Sequence, residues 1–385
     1  MKHRRQSIDT AVIHAGQIRP RIGRAVVPPI FRTSIYEYTG ETSYDGQGYS
    51  RLNTTPNHRT LHARLAALEN AEAALVAGSG MAAITTGILT VCKSGDHLLM
   101  LDSPYGGTRA IATDDLPRLG VEVTFIDGND PASWLARLRP NTKGIYVESI
   151  SNPLMKVPDL EAAVGFARQH GLVSMIDSTF ATPVNFRPAE IGFDLIFHSA
   201  TKYLNGHTDL IAGAIIGRRE LVEKVHHRLN HLGGMLDPES CSLLERGIKT
   251  LALRVRRQNE SALKIAQFLS GHPRIERVNY PGLPHNIGHA IAAALFDGFG
   301  GMLSFEIAGG HAAALRFIGR LTIPVNAVSL GGVESLVILP AVTAYASTPK
   351  AEREALGITD GLVRMSVGIE DPAELLDDIR QALES

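Results

Sequence analysis

The chain predicts an α/β fold: a large, mostly parallel sheet domain followed by a smaller C-terminal α+β domain. Two observations predict it. Short apolar runs alternate with helical stretches through the middle of the chain, the pattern of a parallel sheet covered on both faces. A helix-rich joint near Leu244–Leu263 then separates that region from a second set of strand-like segments. The length, 385 residues, fits a large domain plus a smaller one, and the 44% of hydrophobic residues supply material for both cores.

Taken in order, the first sixty or so residues carry little regular periodicity. They hold "AVVPPIFRTS" and "SYDGQGYSRLNTTPN". A long irregular segment in a compact protein is expected to lie over another surface, here a second subunit. We place this arm at residues 1–58, the large domain at 59–250 and the small domain at 251–385. A helical pattern begins at Thr60 in "TLHARLAALENAEAALV". Strands follow in "DHLLMLDS" (Asp96–Ser103), "VEVTFID" (Val121–Asp127), "TKGIYVES" (Thr142–Ser149), "GLVSMIDST" (Gly171–Thr179), "FDLIFHSAT" and "LIAGAIIG" (Leu210–Gly217). Between them "DLEAAVGFARQHG" reads as a helix capped by Asp159 and ended by Gly171. In the last third, "GGMLSFEI" and "SLVILPA" read as strands, and Asp371, Pro372 and Glu374 start a closing helix.

Composition excludes several classes. A formal net charge of -1 offers no basic excess for nucleic acid or anionic lipid. No apolar run approaches membrane-spanning length. The basic start "MKHRRQSIDTAVIHAG" is not followed by the apolar core of an export signal. The only two cysteines, Cys92 and Cys241, suit a reducing cytoplasm and read as buried small hydrophobes.

In open α/β sheets, ligands gather outside the carboxyl ends of the strands. Those ends carry "SNP" (Ser151–Pro153), "IDST" (Ile176–Thr179) and "HSATK" (His198–Lys202). An amide, a carboxylate, hydroxyls and an amine therefore converge on one edge. Each alone has a bland reading: a strand-end Asp is usually a cap, and a strand-end Lys a solvated loop charge. The small-residue turn "AGSGMAAI" (Ala77–Ile84) opens a helix whose free amides favour a phosphate. Tyr105, in "DSPYGGT", places an aromatic face on another strand-end loop. A phosphate cradle, a carboxylate, an aromatic face and a lysine together fit pyridoxal 5'-phosphate, whose aldehyde a lysine holds as a Schiff base.

The segment "HSATKYLNGHTD" resembles the lysine signature of the Cys/Met-metabolism, or transsulfuration, group of fold-type I pyridoxal-phosphate enzymes. "YSR", "GSGMAAI", "YGGT", "ESISNP", "IDSTFATP", "SLGGVESL" and "LVRMSVGIED" resemble further blocks of that group, in its order. The resemblance implies that Lys202 carries the cofactor and moves protons, that Asp177 faces the pyridine nitrogen and that Tyr105 stacks on the ring. It implies phosphate contacts from Gly80, Met81, Ser199 and Thr201, and from Tyr49 and Arg51 reaching a neighbouring subunit of a homotetramer. Asn152, Ser329 and Arg364 would hold an amino-acid substrate's α-carboxylate, a task suited to the planar fork of an arginine.

Three positions depart from the group's pattern: Ser178 in place of Asn, "LNTTPN" after "YSR", and "TAY" (Thr343–Tyr345) where "MTH" is usual. Gly107 lacks the thiol expected of a methionine γ-lyase, and Glu334 offers a charge for the distal ammonium of cystathionine. The resemblance therefore implies γ-elimination of L-cystathionine. Its alternatives are a cystathionine γ-synthase or O-acylhomoserine sulfhydrylase, then a cystathionine β-lyase or methionine γ-lyase. A rival of another class is an NAD-dependent oxidoreductase using "GSGMAA", disfavoured because the segment before it reads as helix and because it leaves Lys202 unexplained. The histidines of "HHRLNH" and "HNIGH" lie off the strand-end cluster, and no metal is expected there.

Overall fold

The computed structural model describes residues 6–346 and 348–384. The first sheet contains seven strands: β1 (Ala73–Ala77), β2 (His97–Leu101), β3 (Glu122–Ile126), β4 (Thr142–Glu148), β5 (Val173–Asp177), β6 (Leu195–Ser199) and β7 (Gly213–Gly217). Their spatial order is β1-β7-β6-β5-β4-β2-β3. Only β7 runs against the others, pairing antiparallel with both β1 and β6. All six sequence-expected strands of this region are present. Each is a short apolar run, and β2 and β7 are buried along their whole length, as a sheet covered on both faces requires.

Both faces are packed. One core joins helices Pro56–Glu69, Leu160–His170 and Pro238–Ile248 to the sheet through residues such as Leu65, Val164 and Leu244. The other joins helices Gly80–Val91 and Arg219–Leu232 through Ile88 and Leu229. The helix Leu160–His170 has the caps its sequence predicts: Asp159 accepts from the Ala162 N–H at 2.9 Å, and Gly171 turns left-handed at φ 65°. A second sheet, in the order β10-β11-β12-β9-β8, takes strands β8 (Ile275–Asn279), β9 (Met302–Ile307), β10 (Val325–Asn326), β11 (Leu336–Ile338) and β12 (Leu362–Ser366). Helices Leu251–Ser270, Gly310–Arg320 and Pro372–Glu384 bury their apolar residues against it.

Two expectations need correction. The segment before the Gly-rich turn is not helical throughout. The helix begins at Pro56, with Thr55 as N-cap, and stops where Asn70 adopts φ 54°; "AALVA" then forms β1. A short apolar run does not distinguish helix from strand, and here pairing with β7 decides. The arm is also not wholly irregular, because Ile8–His14 forms a helix. It is held by fully buried Arg64, which donates to the carbonyls of Val12 and Ala15 and to Glu245 at 3.1 Å.

On the helix Pro56–Glu69, His58 is buried and His62 half-buried. His58 Nε2 meets the Leu236 carbonyl at 2.6 Å and Nδ1 the Thr55 hydroxyl at 2.7 Å. Burial holds His58 down at about 4, from 6.5, and His62 well below its ordinary value. The unfolded chain therefore binds protons more readily than the fold. Stability is fully present above about 6.5 and is lost as pH falls toward 4. His58 contributes about 3 kcal/mol of that loss. Urea unfolding is expected to show markedly lower stability near pH 5 than near pH 7, with a shallower slope in His58→Gln; a flat profile in the parent chain would contradict this account.

Candidate active site

A cavity of about 590 Å³ opens outside the carboxyl ends of β4, β5 and β6. The helix Gly80–Val91 points its start into it. Ser79 caps that helix by accepting the Ala82 N–H at 3.0 Å, which leaves the N–H groups of Gly80 and Met81 without an intrahelical carbonyl. A Cβ on Gly80 would stand 2.9 Å from the Ser199 Cβ, so only glycine lets the helix start close on the end of β6. Gly80, Met81, Ser199 and Thr201 all line the cavity. The Thr201 hydroxyl is also tied to Ala212, accepting its N–H at 3.0 Å and donating to its carbonyl at 3.2 Å, which braces the loop. Free amides and a hydroxyl in this glycine-opened cradle fit a phosphate.

Deeper in the cavity lies Asp177, the last residue of β5. It accepts the Thr179 N–H at 2.8 Å, and no cationic side chain pairs with it among the described residues. Burial pushes this carboxyl up, while Thr179 and His198 pull it down. A buried carboxylate of this kind fits a protonated ring nitrogen as its missing partner. Tyr105 is at the cavity's side, its ring against Gly107, where a Cβ would come within 2.7 Å of it. The phosphate cradle and Asp177 thus fit pyridoxal phosphate at its two ends. When bound, the cofactor supplies an electron sink for charge left on a substrate's α-carbon.

Lys202 lies between these ends and the second sheet. Its loop is stapled by Arg254, a buried residue that donates to the carbonyls of Tyr203 at 2.8 Å and Gly247 at 2.9 Å. Lys202 Nζ donates to the Ser329 hydroxyl at 2.9 Å. Burial, and then the charge of Arg364, hold the amine below its usual range, which favours the neutral form that can take a proton. Arg364, on β12, donates to the Asn152 side-chain oxygen at 3.1 Å and the Ser329 carbonyl at 3.0 Å, and its Nε is buried without a partner. Burial brings this guanidinium down to about 10, so it stays charged near neutrality. A cation with an unspent donor fits a substrate carboxylate.

The structure therefore gathers Gly80, Met81, Tyr105, Asn152, Asp177, Ser199, Thr201, Lys202, Ser329 and Arg364 around one cavity. It does not bring three others there. Tyr49 and Arg51 line a separate recess on the arm, where Arg51 donates to the Asn230 carbonyl at 2.8 Å and the Tyr44 hydroxyl at 2.7 Å. Glu334, expected near the distal end of the substrate, is exposed and accepts from Thr208 at 3.3 Å instead of lining the cavity. The mouth is rimmed by the apolar side chains of Ile211 and Val328. Sequence reasoning missed Glu148, Thr179 and Arg254. "VES" and "DST" do place the first two at strand ends, the signal that could have found them.

The remaining histidines of interest are spent on local contacts: His226 on the Leu52 carbonyl, His227 on Asp45, His285 and His289 on the carbonyls of Val278 and Pro281. Among the described residues no cluster of His, Cys, Asp or Glu is placed to hold a metal ion, and no helix is long and apolar enough to cross a membrane. A strand does precede "GSGMAA", against expectation. But β1 is an edge strand beside antiparallel β7, whereas a dinucleotide fingerprint follows a strand inside a parallel sheet.

Fold and site define a pyridoxal-phosphate-dependent enzyme of fold type I. The chain belongs to the Cys/Met metabolism PLP-dependent enzyme family, which it matches over residues 9–384. It is 43% identical over 377 residues to a cystathionine γ-lyase of Bacillus subtilis, covering 98% of this chain and 99% of that protein. It is 40% identical over 384 residues to a cystathionine β-lyase of Coxiella burnetii, covering 99% of each. The crystal structure of a Lactobacillus plantarum cystathionine γ-lyase complexed with L-serine superposes with a TM-score of 0.93 at 35% identity, covering 99% of both chains. The chain is thus a lyase-family enzyme of cysteine and methionine metabolism.

The cradle can be tested without turnover. Overpacking at such a close contact costs about 1–3 kcal/mol. Gly80→Val is expected to weaken pyridoxal-phosphate binding at least about tenfold in equilibrium dialysis, while the cofactor-free protein still folds, with its melting temperature lowered by only about a few degrees. Undiminished binding would show that the helix start does not hold the phosphate.

Proposed function

We propose that the protein cleaves L-cystathionine by γ-elimination, giving cysteine, 2-oxobutanoate and ammonia with consumption of one water. The observation that carries this reading is the carboxylate socket of Arg364, Asn152 and Ser329 beside Lys202 Nζ. The similarity to cystathionine γ-lyases supports it. Arg364 and Asn152 bind the α-carboxylate and orient the α-carbon toward Lys202. Lys202 Nζ takes the α-proton, and its flexible stem lets it serve neighbouring carbons in turn. Asp177 holds the proton on the cofactor's ring nitrogen, Tyr105 covers the ring, and the cradle of Gly80, Met81, Ser199 and Thr201 holds the phosphate.

With Glu334 outside the cavity, the distal end of the substrate is left to the apolar rim of Ile211 and Val328. That rim favours a second reading, a substrate with an uncharged thioether tail such as methionine. Gly107 stands against it, since it lacks the thiol expected of a methionine γ-lyase and the Tyr105 ring takes the space a side chain would occupy there. A single product assay separates the readings. Cystathionine alone is expected to yield cysteine and 2-oxobutanoate. Pyruvate and homocysteine from it would mean β-cleavage. Faster cystathionine formation from O-acylhomoserine plus cysteine would make the enzyme a synthase, and rapid methanethiol release from methionine would establish the second reading.

The arm belongs to the same proposal. Tyr49 and Arg51 do not reach their own chain's cavity, and Val26, Val27, Ile30 and Ile35 on the same arm are exposed. This favours an arm that completes the phosphate site of a neighbouring subunit in a homotetramer. Arg51→Ala and Lys202→Ala are each expected to be inactive or nearly so. Mixed under conditions of verified subunit exchange, they should regain activity, because hybrid dimers rebuild one intact site. No recovery would count against a shared site.

A further inference from the structure

We propose that Glu148 is a positioning residue of the cofactor site, whose buried carboxyl fixes the backbone of Tyr105 and thereby the place of the tyrosine ring. The proposal rests on the reading of Tyr105 as the aromatic that covers the cofactor. Glu148 ends β4 and is the direct cross-strand partner of Asp177 on β5. Equivalent register in a parallel pair sends both side chains to the same face, and both line the cavity. Glu148 is only 5% exposed. Its Oε1 accepts the Tyr105 N–H at 2.6 Å.

That contact is the anchor of Tyr105. The residue is 47% exposed, and among the described residues no hydrogen bond holds its hydroxyl. Behind it the chain enters the short helix Gly106–Ala110, which begins with Arg109 N–H donating to the Tyr105 carbonyl at 2.9 Å. The Tyr105 N–H therefore sets where the loop turns, and Gly107 then lies against the ring from one side. Removing the acceptor would leave a donor unsatisfied at the cavity wall and free the loop.

Glu148 and Asp177, cross-strand neighbours lining one cavity, cannot both be anions cheaply. Burial and then the neighbouring Asp177 push the Glu148 carboxyl well up, toward its protonated form. Glu148 then acts through its carbonyl-type oxygen, which a glutamine reproduces. This separates a positioning role from a charge role.

Glu148→Ala and Glu148→Gln are compared in the full-length protein, using pyridoxal phosphate itself as the probe. Losing one buried hydrogen-bond partner corresponds to about a tenfold effect. Glu148→Ala is expected to raise the cofactor's dissociation constant about tenfold and to speed deuterium exchange of a peptide spanning Tyr105 in the cofactor-free protein. Glu148→Gln should recover both. Should the alanine variant fail to fold, Glu148→Met keeps the length without the acceptor and carries the same expectation. Parent-like exchange and binding in the alanine or methionine variant would overturn the proposal, as would a glutamine variant as impaired as they are. Tyr105→Ala serves as the control. If it binds the cofactor as tightly as the parent chain while the exchange result stands, the covering role of Tyr105 has failed and the Glu148 contact has not.

Discussion

The site depends on two close backbone approaches that only glycine permits. A Cβ on Gly213 would stand 2.1 Å from the Ser79 carbonyl oxygen, and one on Gly80 would press on Ser199. Gly213 belongs to β7, the strand that runs against the rest of its sheet and separates β1 from β6. Its bare face lets the Ser79 turn settle over the sheet, and Gly80 lets the following helix start beside the last residue of β6. The amides at that helix start and the lysine three residues beyond Ser199 are thereby brought into one cavity. A side chain at either glycine would have to displace main chain, which a close-packed interior resists.

Within the cavity the charges are left incompletely paired. Lys202 meets a hydroxyl, Arg364 meets an amide oxygen and a carbonyl, and Asp177 meets a backbone N–H. Contrast Arg64, fully buried elsewhere, whose guanidinium meets Glu245 directly and is satisfied by two carbonyls. Buried charge without a counter-charge costs stability, so it persists where a ligand completes it. The unpaired set here, an anion, an amine and a cation with a spare donor, is the complement of a ring nitrogen, an aldehyde and an amino-acid carboxylate. The same low-dielectric setting shifts Lys202 toward its neutral form, the one that accepts protons.

Much of this is legible in the sequence. The strand ends "SNP", "DST" and "HSATK" had to converge because parallel strands end on one side of a sheet. The caps Asp159 and Gly171 were readable because capping is local. What escaped notice was non-local. The "AALVA" run became β1 only through pairing with β7, and the early helix Ile8–His14 packs on a neighbouring helix through Arg64. Glu148 is an unremarkable acid until its register with Asp177 and its reach to Tyr105 are known. Glu334 sits in a fitting motif, yet its loop directs it toward Thr208.

The sequence by itself determined the fold class and, from the residues at its strand ends, the cofactor. Strand period, caps and small residues at a turn carry that much; Ser329 and Arg364 became candidates only through the resemblance of their motifs to a known family. The tertiary structure alone decided which of the candidate side chains share a cavity, that Tyr49 and Arg51 stand apart from it, and that its mouth is apolar. Those outcomes turn on loops and on contacts between residues far apart in the chain, where ångström-scale packing and burial, rather than local preference, set direction and charge.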